Sequence, residues 1–139
     1  MSNETDELRP EVAEGNAKLV RLARQLDPSR LATHVSHHWA RGARFDEDDV
    51  ISVTAYPSWD HRCWRGEATY PLAASGDWWR RQLAGLHARY PDKPILVTEF
   101  GYPALDGVRQ NAVGEEVQAE VLRQEFAGMQ APYVCGTTI

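Results

Sequence analysis

A carboxylate at the end of a short apolar run is the first candidate catalytic group in this chain. Residues 94–97, Pro-Ile-Leu-Val, are typical of a buried strand entered through a proline, and Glu99 stands at the end of that run. A charge leaving a buried strand must be solvated, paired or used, so Glu99 is either a carboxylate facing water or a functional acid. Catalytic groups lie at the carboxyl ends of strands in parallel sheets and barrels. We therefore interpret Glu99 as a candidate catalytic residue.

An earlier predicted strand also ends in polar side chains. Residues 31–37 are predicted to form this strand, which ends at His37 and is followed by His38. Residues 50–56 are the clearest strand by their β-branched content, and a last strand is predicted over residues 133–139. The two histidines are therefore candidates for contact with a ligand.

Three amphipathic helices are predicted between these strands. They run from residue 10 to residue 26, from an N-cap at residues 76–77 to residue 90, and from residue 114 to a stop at residues 131–132. Their predicted buried faces are, in order, Val12, Leu19, Val20, Ala23 and Leu26; Trp79, Leu83, Leu86 and Tyr90; and Val117, Val121, Leu122, Phe126 and Met129.

The order of these elements predicts the fold class. Strands that alternate with helices imply parallel pairing, so we expect an α/β fold with about four parallel strands. Residues 41–49 are charged and too short for a full helix, so a loop or one or two turns must cross from the first strand to the second. Residues 58–75 form a long aromatic loop, which a compact domain rarely keeps without a purpose.

Length and composition restrict the classes of function. A chain of 139 residues predicts one domain, residues 1–139, well below the roughly 250 residues of a complete (β/α)8 barrel. With 20 acidic and 15 basic residues, nucleic acid is not an expected partner. No apolar stretch is long enough to span a membrane, and no cofactor motif is present. Cys63 and Cys135 are expected to be free thiols in a reducing compartment, so we expect the protein in the cytoplasm.

The segment around Glu99 resembles a known motif. Residues 93–101, Lys-Pro-Ile-Leu-Val-Thr-Glu-Phe-Gly, resemble the nucleophile segment of the retaining β-glycosidases of glycoside hydrolase family 2, which include β-glucuronidases and β-galactosidases. The family carries its general acid/base in an Asn-Glu pair, and Asn3-Glu4 stands at the start of this chain. Residues 26–30, Leu-Asp-Pro-Ser-Arg, resemble the family's leader into its fifth strand. The whole chain matches the second half of the family's barrel in order and spacing.

This resemblance implies a role for each matching residue. It makes Glu99 the nucleophile, Glu4 the acid/base and Tyr56 a donor of a hydrogen bond to the nucleophile, which would favour the ionised form. It also places Asn3 at the sugar's 2-hydroxyl and Trp59 beside the substrate. His37 and His38 are expected sugar contacts. The implied fold is half of a (β/α)8 barrel, and the implied partner is a β-glycoside that is hydrolysed without a cofactor.

Departures from the family pattern limit what the resemblance implies. Thr54 stands where β-glucuronidases commonly have an asparagine, so the resemblance supports the chemistry and not the sugar. The family's first three strands and most of its fourth have no counterpart here. We expect Glu4, near the N-terminus, to be mobile and the isolated chain to be weakly active or inactive.

Open sheet edges lead to two further expectations. A half barrel leaves two strand edges unpaired, so we expect self-association or pairing with a complementing barrel half. The alternative to an enzyme is a non-catalytic carbohydrate-binding or complementing barrel fragment, which would use the aromatic residues of the long loop: Trp59, Trp64 and Tyr70.

A metal site is the competing interpretation of the remaining polar residues, which are His34, His37, His38, His61 and Cys63. In an extended strand His34 points to the opposite face from His37, and the adjacent His37 and His38 are expected to diverge. We therefore favour satisfied or solvated histidines over a metal site.

Overall fold

A parallel sheet of four strands lies at the centre of the structure, a computed structural model that describes residues 6–57, 74–102 and 115–138. The strands are β1 (Val35–Ser36), β2 (Ile51–Thr54), β3 (Ile95–Glu99) and β4 (Val134–Thr137). They lie in the order β1-β2-β3-β4, and every neighbouring pair is parallel. The predicted α/β partial barrel is therefore confirmed.

There are three α-helices in the described ranges: α1 (Pro10–Leu26) precedes β1, α2 (Ser75–Arg89) connects β2 to β3, and α3 (Glu115–Met129) connects β3 to β4. Between β1 and β2 the crossover is a short 3-10 turn, Trp39–Arg41, as the sequence predicts. Gly42 ends this turn at φ 105°, a left-handed conformation that favours glycine. None of the helices in the described part of the chain is long and apolar enough to cross a membrane.

One face of the sheet packs against α2 and α3 and forms the core. Val53 of β2 and Val97 of β3 pair across the sheet and are fully buried, together with Leu83 of α2. Trp39 stacks on Trp79, with ring centroids 5.7 Å apart. The predicted buried face of α2 is confirmed, since Trp79, Leu83 and Leu86 are buried and Tyr90 packs against the core. The opposite face of the sheet, called the inner face below, carries Ser52 and Thr54.

The start of α2 differs from the prediction because two glycines bring α2 and α3 into contact. The helix begins at Ser75, and no side chain caps it, so the predicted N-cap at residues 76–77 is wrong. A Cβ on Gly76 would lie 2.4 Å from the carbonyl oxygen of Gln124, and one on Gly128 would lie 2.1 Å from the carbonyl oxygen of Gly76. Gly76 therefore serves close helix packing rather than capping.

Two predicted helix faces are partly wrong. In α1 only Asn16 and Val20 are buried, while an apolar strip of Leu19, Leu22 and Leu26 is 48–77% exposed. In α3 Val121 and Met129 are buried as predicted, but Phe126 is half exposed. Helical periodicity identifies an apolar stripe but not its neighbour, and no element in the described ranges covers these side chains.

The α2–α3 contact also buries a carboxyl group. Glu125 of α3 is fully buried, and neither of its oxygens has a hydrogen-bond partner among the described residues. Burial raises the pKa of Glu125 to about 8, and the neighbouring Trp79 side chain offsets only part of this rise. Glu125 is therefore protonated in the folded protein at neutral pH.

Because Glu125 is buried in its protonated form, we predict that the stability of the folded protein falls as the pH rises. The folded protein holds this proton up to about pH 8, whereas the unfolded chain loses it near pH 4.5, so the free energy of unfolding falls between these values. The contribution to the slope is at most about 1.4 kcal/mol per pH unit. Urea unfolding from pH 5 to pH 8 measures it, and we expect Glu125→Gln to flatten the profile and to be more stable than the wild type at pH 8.

Glu116→Gln is the matched control, because Glu116 lies exposed in the first turn of the same helix. It should keep the wild-type slope. An identical pH profile for the wild type and Glu125→Gln would contradict the assignment of this proton.

Candidate active site

Two neighbouring strand ends bring Glu99 and Tyr56 together. Glu99 is the last residue of β3, and Tyr56 lies two residues beyond the end of β2. The Tyr56 hydroxyl donates a hydrogen bond to Glu99 Oε2 over 3.0 Å. Both side chains are half-buried, so the carboxylate is held by the protein and still reaches solvent. This is the contact that the sequence predicts, while the roles of the two residues stay predictions.

An irregularity in the sheet turns Glu99 toward the inner face. Val53 pairs with Val97, but the next residue of β2, Thr54, pairs with Glu99, so Thr98 is an extra residue in β3. Side chains alternate along a strand, and without this bulge Glu99 would point with Val97 into the helix-covered core. The bulge places it instead on the side of Thr54.

Backbone and hydroxyl contacts fix the bulge. The Glu99 carbonyl oxygen accepts hydrogen bonds from the Ala55 amide at 3.2 Å and the Thr54 hydroxyl at 3.3 Å. The Thr98 hydroxyl donates to the Val53 carbonyl oxygen at 3.0 Å, and the Thr138 hydroxyl beyond β4 donates to the Thr98 carbonyl oxygen. Both neighbouring strands therefore hold the segment that carries Glu99.

The carboxyl end of β1 is held by an acid that the sequence analysis did not identify. Glu7 is 3% exposed, and its Oε1 accepts hydrogen bonds from the Ser36 hydroxyl and, at 3.0 Å, from the His38 amide. Burial raises the pKa of Glu7, but the Ser36 and His38 donors outweigh it and the net pKa is lowered. Glu7 is therefore a buried carboxylate. Its nearness to the Asn3-Glu4 pair was the only available sequence signal.

The two predicted histidines lie at this strand end. The rings of His37 and His38 meet edge to face with centroids 5.3 Å apart, so the prediction that they diverge is wrong. The strand ends at Ser36, and His38 at φ −101° and ψ 16° already belongs to the following turn, where strand alternation no longer applies. His37 is exposed, whereas the Nδ1 of His38 is buried and lies 3.7 Å from Glu7 Oε2.

His34 belongs to a different environment. Its Nδ1 lies 2.9 Å from Asp48 Oδ1, and its ring stacks on Phe45 with centroids 5.1 Å apart. Within the described ranges no group of three or more His, Cys, Asp or Glu side chains is arranged to hold a metal ion. His34 is thus a satisfied histidine, and His61 and Cys63 lie outside the described residues.

A cavity lies beside α1 and not over Glu99. Its volume is about 380 Å³, and its lining includes Glu7, Arg21 and Asp48 but neither Glu99 nor Tyr56. The other predicted site residues, Asn3, Glu4 and Trp59, lie outside the described residues.

Solved structures with a similar fold include two β-glucuronidases and a β-galacturonidase. The chain superimposes on a β-glucuronidase of an uncultured Clostridium species with a TM-score of 0.81 at 20% identity over 99% of its length. A Lactobacillus rhamnosus β-glucuronidase matches over 98% with a TM-score of 0.77 at 21% identity. A GH2 β-galacturonidase from Eisenbergiella tayi, bound to galacturonate, matches over 99% with a TM-score of 0.72 at 22% identity. No protein-family model matches the sequence, and no curated protein matches it.

The likeness defines the fold and its extent. The chain spans about a quarter of the length of these structures, 24% in each case. The predicted structural resemblance to the β-glucuronidases and related enzymes of glycoside hydrolase family 2 is therefore confirmed, over a part of their length. At this level of identity the likeness is one of fold.

Proposed function

We propose that this chain carries the nucleophile half of a retaining β-glycosidase site that acts on the O-glycosidic bond of a carbohydrate. The observation that supports this proposal is the 3.0 Å hydrogen bond from Tyr56 to Glu99 at the carboxyl ends of adjacent parallel strands. A half-buried carboxylate that is turned to the inner face and oriented by a phenol has the properties of an anionic nucleophile.

In the proposed reaction Glu99 attacks the anomeric carbon and forms a glycosyl ester as the bond to the leaving oxygen breaks. Because Glu99 Oε2 accepts the Tyr56 hydrogen bond, we assign the attack to Oε1. A second carboxyl group, about 5 to 5.5 Å away, protonates the leaving oxygen and then takes a proton from the water that hydrolyses the ester. Glu4 is the proposed acid/base, and Asn3 the proposed contact to the sugar's 2-hydroxyl.

Side chains at or after the carboxyl ends of the strands are the proposed sugar contacts. His37 at the end of β1 is exposed, and β1 lies two strands from β3, roughly 10 Å away by ordinary strand spacing. That gap suits a sugar ring. His38 would reach the sugar through its Nε2 edge, because its Nδ1 lies toward Glu7. Trp59 is the proposed aromatic contact. The uronic acid glycosidases among the solved structures make β-glycosides of uronic acids the first substrates to test.

We also propose that the protein lies in the cytoplasm. Cys135 is a free, exposed thiol whose Sγ contacts the Ile95 carbonyl oxygen at 3.3 Å. A thiol of this kind is compatible with a reducing compartment, which supports the cytoplasm.

Hydrolysis of aryl β-glycosides tests the assignment of the two acids. We expect weak release of the phenol by the isolated chain, because a misplacement of Glu4 by about 1 Å costs roughly 100-fold in rate. Glu99→Gln should reduce that release to background, and Glu4→Gln should reduce it most for weakly acidic phenols, which leave only when they are protonated. Glu116→Gln, an exposed acid of α3, is the control and should leave the rate unchanged. Turnover that survives Glu99→Gln would refute the nucleophile, and vigorous turnover by a monomer would refute the expected weakness.

Tyr56→Phe tests the orienting hydrogen bond. Loss of a hydrogen bond to a charged group corresponds to about 1.5–3 kcal/mol, or roughly a 10- to 150-fold fall in kcat, with a smaller change in KM. Tyr90→Phe is the control, since the Tyr90 hydroxyl accepts a hydrogen bond from the Phe45 amide, remote from Glu99. Steady-state kinetics of both variants provide the comparison. Equal effects of the two substitutions would count against a specific role for Tyr56.

A second candidate function is a non-catalytic carbohydrate-binding or complementing barrel fragment. The apolar strip of α1, Leu19, Leu22 and Leu26, is the observation that favours it, because these side chains are exposed and β1 is an edge strand of the described sheet. We propose that another polypeptide, either a second copy or a complementing barrel half, covers this strip. Glycoside binding that survives loss of both glutamates would favour this function over the enzyme.

Light scattering tests the covering of the strip. We expect the purified chain to exceed the mass of a monomer, and the triple variant Leu19→Ser, Leu22→Ser, Leu26→Ser to move toward the monomer. Leu31→Ser is the control, because Leu31 is 76% exposed and lies outside α1. A well-behaved wild-type monomer would contradict self-association and leave only a separate complementing half.

A further inference from the structure

The segment that follows Glu99 makes a contact with α3 to which the proposed reaction gives no role. Gln118, in the first turn of α3, donates a hydrogen bond from Nε2 to the Tyr102 carbonyl oxygen over 2.6 Å. Both residues are half-buried. The bond therefore joins α3 to the backbone that continues from the proposed nucleophile.

Packing of α3 gives this contact a fixed base. Val121 and Leu122 follow Gln118 by one helical turn, so the three side chains lie on one face of the helix. Val121 is fully buried, and Leu122 packs against the core. The Gln118 amide therefore projects from the part of α3 that the core holds in place.

Gly101 connects this contact with the Tyr56 phenol. Gly101 is buried and stands directly before Tyr102. A Cβ on Gly101 would lie 3.7 Å from Tyr56 Cε1, an ordinary van der Waals distance, so the Gly101 backbone lies beside the ring. Cε1 is bonded to the carbon that carries the hydroxyl, so this is the end of the ring that donates to Glu99 Oε2. A shift of the Gly101 backbone would therefore change the packing of the hydroxyl end of Tyr56.

The same segment is fixed at its other end by β2 and the core. The Glu99 carbonyl oxygen accepts hydrogen bonds from the Ala55 amide and the Thr54 hydroxyl. Phe100, the next residue, is 3% exposed and belongs to the core. Gln118 thus holds the far end of a segment, residues 99–102, that contains both the carboxylate and the neighbour of the phenol.

We propose that Gln118 is a positioning residue of the glycosidase site: it holds residues 100–102 beside the Tyr56 ring and thereby keeps the Tyr56 hydroxyl directed at Glu99 Oε2. This inference rests on the proposed function. Because Gln118 acts through the Tyr56 hydroxyl, its loss has no further effect once that hydroxyl is removed. A residue that only stabilises the fold would not depend on the hydroxyl.

A double-mutant cycle separates these two roles. Gln118→Met keeps the length of the side chain and removes the amide donor, and we expect it to lower kcat for an aryl β-glycoside about 5-fold with a smaller change in KM. In a Tyr56→Phe background the same substitution should have no further effect. Gln124→Met is the control, because Gln124 lies on the same helix and donates to Glu120 within it, and kcat should not change. Additive losses in the double variant, no loss with Gln118→Met, or an equal loss with Gln124→Met would overturn the proposal.

Nuclear magnetic resonance keeps the proposal testable if the chain shows no turnover. The ¹³Cζ shift of Tyr56 responds to the hydrogen bond of its hydroxyl, and we expect Gln118→Met to change this shift and Gln124→Met to leave it unchanged, with circular dichroism checking the fold of both variants. In the wild type, a nuclear Overhauser effect should join the Gly101 Hα and Tyr56 Hε protons, and this measurement needs no variant.

The two kinds of measurement distinguish the failure of each proposal. Absent hydrolysis together with a changed Tyr56 shift in Gln118→Met would refute the proposed function and leave the coupling of Gln118 to Tyr56 in place. An unchanged Tyr56 shift in Gln118→Met, or no Overhauser effect between Gly101 and Tyr56 in the wild type, would overturn the positioning role of Gln118 whatever the activity.

Discussion

The bulge at Thr98 is the constraint on which the candidate site depends. A regular β3 would direct Glu99 into the helix-covered core beside Val97, where a charge has no partner. One extra residue reverses the direction of this side chain and brings it to the Tyr56 hydroxyl. The bulge is held by Thr54, Thr98 and the segment after β4, so the position of the carboxylate depends on the packing of three strands.

The helices support this arrangement from the other face. Stacked Trp39 and Trp79 fill the core behind β2 and β3, and the Trp39 indole donates to the Thr54 carbonyl oxygen at 3.0 Å. Thr54, whose hydroxyl donates a hydrogen bond to the Glu99 carbonyl oxygen, is therefore also tied to the core. Gly76 and Gly128 allow α2 and α3 to approach closely enough to cover the sheet. The strand ends are thus held by the core at the place where the proposed chemistry needs precision.

Periodicity and composition were enough to predict the parallel order, the strand that ends at Glu99 and the buried face of α2, because these depend on local pattern. The contact between Tyr56 and Glu99 followed from a resemblance. The bulge could not be predicted from the sequence, since an extra residue in one strand is recognised only from its pairing with the neighbouring strand. Three other features could not be predicted either: the exposed leucines of α1, the buried Glu125 and the buried Glu7 carboxylate. Each depends on what packs against it in three dimensions.

Covalent trapping of Glu99 is the decisive measurement. A β-configured cyclitol epoxide is opened by an anionic carboxylate at the position of the anomeric carbon, and its adduct accumulates even where turnover is slow. The account predicts a single adduct, found by peptide mass spectrometry on the segment that contains Glu99 and lost in Glu99→Gln. An adduct on another carboxylate, or none after prolonged incubation of the folded chain, would contradict it.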